Sequence, residues 1–226
     1  VGGYYTRNSA EDNENVTIYK ASGDFITGGL YIVPKQSAGK YASDISRKVN
    51  VGFNVKYNKK GTSLQGGLNV IFRRTDEMGN RKVYQIKTNA LTSLGVDIKD
   101  PNAKKAVFTS KANLKDVTDP YNTAPWSLGN LVVQVNLVDR GEPGKDDEIS
   151  ITLWEGSTMI YSSFWNVNKT DFLKLGGGNL VVHSGFSTGS MSTSNTASVQ
   201  QVAARAPQVD VAPTTAFNLA GFPNPS

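Results

Sequence analysis

The sequence has no cysteine and a single histidine, His183, and these two scarcities remove several kinds of chemistry. Without thiols there is no disulfide framework and no thiolate metal site, and one imidazole cannot build a zinc site that needs two. A serine hydrolase needs a nucleophile, a base and an orienting acid. His183 is the only imidazole on offer; it stands at a strand end beside Ser184, and no Gly-x-Ser-x-Gly elbow occurs in the chain. No apolar run approaches the roughly 18 to 20 residues of a spanning helix, and no charged-then-apolar signal segment opens the chain at Val1. Long runs with apolar residues at helical spacing are also missing, which argues against helix-rich and βαβ architectures. Hydrophobic residues make up 38% of the 226 residues, so part of the chain is expected to lie outside a packed core.

What the sequence does have is period-two patterning. In Val49-Asn-Val-Gly-Phe-Asn-Val-Lys-Tyr57 the apolar residues take every second position, with Asn50, Gly52, Asn54 and Lys56 between them. Such a segment is a strand with one wet face. Further strands are expected at 16–21, 25–33, 68–75, 82–88, 106–112, 130–139, 148–154, 159–167 and 179–184. Glu77-Met-Gly-Asn80 reads as a hairpin loop and Arg140-Gly-Glu-Pro-Gly-Lys-Asp-Asp147 as a longer one. About ten short strands joined by such loops predict an all-β fold, an antiparallel β-sandwich or jelly roll.

Two shifts in composition organise the chain. Residues 1–15 end in the acidic stretch Ala10-Glu-Asp-Asn-Glu-Asn15 and read as the end of an upstream element or an N-terminal strand. Residues 16–185 carry the strand pattern. From Ser187 onward only Arg205 and Asp210 are charged, and Ser, Thr, Ala, Pro and Gln dominate. Such a composition cannot bury enough apolar surface to offset its ordering entropy, so 186–221 is expected to be a disordered-like linker.

Several clusters could carry chemistry. Lys56, Lys59, Lys60, Arg73, Arg74, Arg81, Lys82 and Lys87 concentrate positive charge in a chain of net charge +5, a pattern able to attract an anionic polymer. No aromatic RNA-binding signature or helix-turn-helix pattern accompanies them, so nucleic acid is not expected. Asp139, Glu142, Asp146 and Asp147 share one loop with Gly141 and Gly144 and form a candidate calcium site; no other cofactor is expected. A glycosidase would need facing carboxylates, but Glu148 and Glu155 fall on opposite faces of one strand. In Ile149-Ser-Ile-Thr-Leu-Trp154, alternation puts Trp154 on the polar face. With Tyr161 and Trp165 on a neighbouring strand it forms a candidate glycan-binding platform. Trp126, after Pro125, is expected in a loop that closes one end of the core.

Four phrases occur in an order that resembles extracellular β-domains from large secreted and surface proteins of Bacteroidota. They are Asp24-Phe-Ile-Thr-Gly-Gly29, Val51-Gly-Phe-Asn-Val-Lys-Tyr-Asn-Lys-Lys-Gly61, Asp147-Glu-Ile-Ser-Ile-Thr-Leu-Trp154 followed by Ile160-Tyr161, and Gly176-Gly-Gly-Asn-Leu-Val-Val-His183. The chain departs from that pattern at Gly28-Gly29-Leu30, where the family more often has a third glycine and then tryptophan. Phe222-Pro-Asn-Pro-Ser226 resembles the opening of a C-terminal sorting domain, with Pro223, Asn224 and Pro225 as the sorting signal. The resemblance implies export across the outer membrane by the type IX secretion system, with its translocon and shuttle proteins as partners. It also implies an extracellular or cell-surface location and further elements on either side of this stretch. It implies no catalytic residues. The resulting expectation is a non-catalytic surface module for adhesion, spacing or surface motility, with no transmembrane segment. The alternative is a glycan-binding module attached to a secreted polysaccharide-processing protein, with a surface polysaccharide as partner.

Overall fold

The computed structural model of the chain describes residues 24–183, and among them every regular element is a β-strand. β1 (Phe25–Ile32), β2 (Val49–Tyr57), β3 (Leu64–Thr75), β4 (Arg81–Asp97), β5 (Lys104–Asp116), β6 (Ser127–Asp139) and β7 (Glu148–Glu155) form an antiparallel meander, each paired with the next. β8 (Thr158–Ser162) turns back along β7, and β9 (Trp165–Asn166) pairs with β10 (Lys169–Thr170) in a small separate sheet. β11 (Leu173–Lys174) also pairs with β7, and β12 (Gly177–His183) pairs with β1 at the far end of the main sheet.

Period-two patterning drives this arrangement. On β2, Val49, Val51, Phe53 and Val55 are buried while Asn50, Asn54 and Lys56 are exposed; β6 repeats the pattern with Leu131, Val133, Val135 and Leu137 inside. No helix among the described residues covers the apolar face, so the sheet leaves water by curling on itself. Opposite walls then meet. The rings of Phe53 on β2 and Phe108 on β5 lie 6.0 Å apart, and those of Phe72 on β3 and Tyr161 on β8 lie 4.8 Å apart. Each large apolar side chain fully removed from water contributes about 1.5–3 kcal/mol. Gly28 of β1 faces the Phe53 ring so closely that a Cβ would run into it. Trp126 caps one end as expected, with its ring centroid 5.7 Å from that of Tyr41 and 6.3 Å from that of Tyr84.

The two ends of the sheet come together through the stretch that holds β11 and β12. Leu175 donates its N–H to the Asp147 carbonyl (3.1 Å), and the next residue, Gly176, donates to the Tyr31 carbonyl (2.8 Å). A second join lies higher up, where Ala38 and Ser162 exchange backbone hydrogen bonds of 3.2 and 2.9 Å. Among the described residues these bonds tie the two ends of the sheet together, which shields its edges from pairing with another chain.

The all-β, antiparallel expectation holds, and one curled sheet supplies both of the facing walls. β4 runs well past the expected end at Thr88, because register shifts at Thr88/Ala90 and Leu91/Ser93 break its alternation. The segment expected as one strand over 159–167 is divided between β8 and β9. The expected strand at 16–21, the linker 186–221 and the sorting signal at Pro223, Asn224 and Pro225 lie outside the described residues.

Candidate functional site

The loop between β6 and β7 holds the four carboxylates expected to bind calcium, and the structure gives them separate tasks. Asp139, buried at the end of β6, accepts the Gly141 N–H through Oδ1 and the Val182 N–H through Oδ2, both at 2.8 Å. Asp147, fully buried, accepts the Arg140 N–H at 2.8 Å and the Leu180 N–H at 3.4 Å. Leu180 and Val182 are alternate residues of β12, so their N–H groups point away from β1 along a strand edge. The two carboxylates stand where another strand would otherwise be needed. Glu142 accepts from Asn179 Nδ2 at 2.8 Å, and Asp146 pairs with Lys174 at 3.1 Å on the surface. Among the described residues no three His, Cys, Asp or Glu side chains gather as metal ligands would. The calcium site expected at Asp139, Glu142, Asp146 and Asp147 is corrected: the oxygens of Asp139 and Asp147 already receive backbone donors and clamp β12, Glu142 holds Asn179, and Asp146 pairs with Lys174 on the surface.

Electrostatics follow the geometry. Burial pushes the Asp147 carboxyl up; the Arg140 and Leu180 N–H groups oppose that shift, and the charges of Asp139 and Glu142 add to it. The hydrogen bond and charge of Lys174 hold Asp146 below the usual range. Gly144 makes the tight passage possible. It has φ of 74°, and a Cβ there would meet the Asn179 side chain.

The expected glycan platform is also corrected. Tyr161 pairs across from Leu153, a core residue, and so turns inward, fully buried against Phe72. Burial pushes its phenol far up. Its hydroxyl neighbours that of Ser43, but neither finds a partner in good hydrogen-bond geometry. Trp154 and Trp165 are half-buried. The face beside Trp154 is covered, since Thr170 of β10 accepts a hydrogen bond from Thr152 and shares another with Ser162, each at 2.8 Å. The three aromatics therefore cannot present one plane to a sugar.

His183 stacks on Phe25 with centroids 3.9 Å apart and rings tilted by 10°. It is a packing ring at the end of β12. Glu148 pairs with Arg140 at 2.9 Å, and Glu155 is exposed at the other end of β7. A half-open cavity of about 200 Å³ is lined by Val107, Asn136 and Phe172 among others, with Asp97 and Lys105 at its polar side. That is below the usual range for small-molecule sites, roughly 300–1,000 Å³. Nothing in it pairs a nucleophile with a base.

The outer face of the curled sheet is what the site residues chosen from sequence missed. Its period-two signal is plain in β2, where Asn50, Asn54 and Lys56 alternate with the core residues. The basic stretch divides by the same rule. Lys56, Arg73, Arg81 and Lys87 point outward into water, whereas Lys82 pairs with Asp116 at 3.3 Å. No known family model, curated protein or solved structure matches the chain.

Proposed function

We propose that the chain is a non-catalytic module of a cell-surface protein exported by the type IX route, serving adhesion, spacing or surface motility. The carrying observation is where the family-like phrases fall. Asp24–Gly29 holds most of β1, Val51–Gly61 is β2 with its turn, Asp147 is a clamp residue, and Gly176–His183 is β12. β12 and Asp147 close the sheet, β1 is the strand that β12 pairs with, and β2 is its inner neighbour. They are motifs of shape, made of strand and turn residues whose packing the fold uses. A closed β-core of this kind suits a module that must persist outside the cell.

Antibody labelling of intact cells tests the proposal. Label should coat wild-type cells and disappear from cells lacking the type IX translocon; equal labelling of both would overturn the export route. The glycan-binding alternative loses its Trp154, Tyr161 and Trp165 platform and requires another surface.

A further inference from the structure

We infer that the outward face of β1, β2, β3 and β4 binds an acidic polysaccharide, a sugar chain that carries carboxylate or sulfate groups. This rests on the reading of the chain as a non-catalytic surface module and names what such a module would hold.

Strand register builds the platform. Gly29, Gly52, Asn69 and Lys87 are consecutive cross-strand partners, so they form one row over four neighbouring strands that follows the curl of the sheet. At about 4.8 Å per strand the row is about 14 Å long, enough for two or three sugar rings. Nothing lies within 4 Å of where a Cβ would stand on Gly29 or Gly52, so the middle of the row is a shallow trough. Asn54 borders it on one side, and Asn50 and Gln85 border it on the other. Gln85 Nε2 donates to Asn69 Oδ1 at 2.8 Å, which fixes both amides and leaves the Asn69 Nδ2 and Gln85 Oε1 atoms for a ligand. Side-chain amides offer a donor and an acceptor each, the pairing that sugar hydroxyls require.

Charge selects the kind of sugar chain. Lys56, Arg73, Arg81 and Lys87 point outward from β2 to β4, and none makes an ion pair with a described residue. Asp97 is the only carboxylate that points outward from the strands β1 to β5. A face with one sign of uncompensated charge attracts the opposite sign. A neutral glycan would call for an open aromatic ring, and here the Tyr31 ring is covered by the Lys48 ammonium 3.9 Å from its centroid. Single-stranded nucleic acid relies on the same kind of open ring, and duplex DNA on an element that enters a groove. A gently curved strand face of amides and basic side chains provides neither.

The test uses the full 226-residue chain in gel-retardation and titration against polygalacturonate, dextran sulfate, neutral dextran and single-stranded DNA. Polygalacturonate or dextran sulfate should retard the protein, and which one does so distinguishes a carboxylate from a sulfate ligand; neutral dextran should not. The double variant Lys56→Glu with Lys87→Glu should weaken binding by about tenfold or more, and added salt should do the same. Asn54→Ala with Asn69→Ala should weaken the sugar polymers several-fold and leave any DNA binding unchanged. Unfolding midpoints confirm that each variant is folded, with Lys56→Ala and Lys87→Ala as milder substitutes. The proposal is overturned if no polymer binds, if charge reversal has no effect, or if DNA binds as tightly as polygalacturonate at equal charge. Polymer length is read in the same samples. Shortening would defeat the non-catalytic reading and leave the binding face in place, whereas an intact, unretained polymer would defeat the face alone.

Discussion

Asp139 and Asp147 at the edge of β12 are buried, and all of their carboxylate oxygens accept backbone N–H groups. Lys56 and Lys87 on the outer face are exposed and have no carboxylate partner among the described residues. The contrast shows that charge has two uses in this domain. A buried carboxylate that satisfies a strand edge stabilises the native chain, because removing it leaves donors without acceptors. An exposed, unpaired cation contributes almost nothing to stability and remains available to a partner.

Substitutions at the two regions should differ accordingly. Asp139→Ala strands the N–H groups of Gly141 and Val182 and should cost about 3 kcal/mol, read as a lowered guanidinium midpoint at constant slope. A loss below about 1 kcal/mol would mean that the clamp is incidental. Gly144→Ala forces a side chain onto a left-handed backbone and against Asn179, at a cost of about 2 kcal/mol in the same assay. Lys87→Ala, at the other extreme, should move stability by no more than about 0.5 kcal/mol.

Acid titration sharpens the contrast further. A carboxyl whose pKa is raised by folding holds its proton more readily in the native chain, so its contribution to stability is greatest in acid. For Asp147 that contribution declines as pH rises from the ordinary value of 3.8 through the raised native value. Asp146, with its lowered pKa, acts in the opposite sense: its contribution is present above 3.8 and is lost as pH falls through the depressed value. Asp146 is common to wild type and Asp147→Asn, so it cancels in their difference. Stability of wild type minus Asp147→Asn should therefore fall over that window and be level above it, as followed by melting temperature between mildly acidic and neutral pH.

Much of this fold was legible in the sequence where alternation was unbroken. β2 and β6 follow their apolar periods, the hairpin near Gly79 closes with the Asp76 N–H donating to the Asn80 carbonyl at 2.9 Å, and Trp126 lies over Tyr41 and Tyr84. The second half of β4 was not legible, because bulges move its side chains out of phase. Tyr161 misled for a related reason. Its face depends on which residue it opposes, and a register shift lies between Leu153 and Trp154. The acidic loop was found and its task was not. Asp139 reaches a strand 43 residues away, a contact created by sheet closure that no local pattern encodes. The outer face was visible as wet positions strand by strand, but its row exists only once the register aligns Gly29, Gly52, Asn69 and Lys87.

One crossed measurement tests the division of labour most directly: unfolding midpoint and polygalacturonate retention, both read for Asp139→Ala and for Lys56→Glu with Lys87→Glu, at a temperature where each is folded. The seam variant should lose midpoint and keep retention, and the face variant should keep midpoint and lose retention. A seam variant as stable as wild type, or a face variant still retained, would contradict the account.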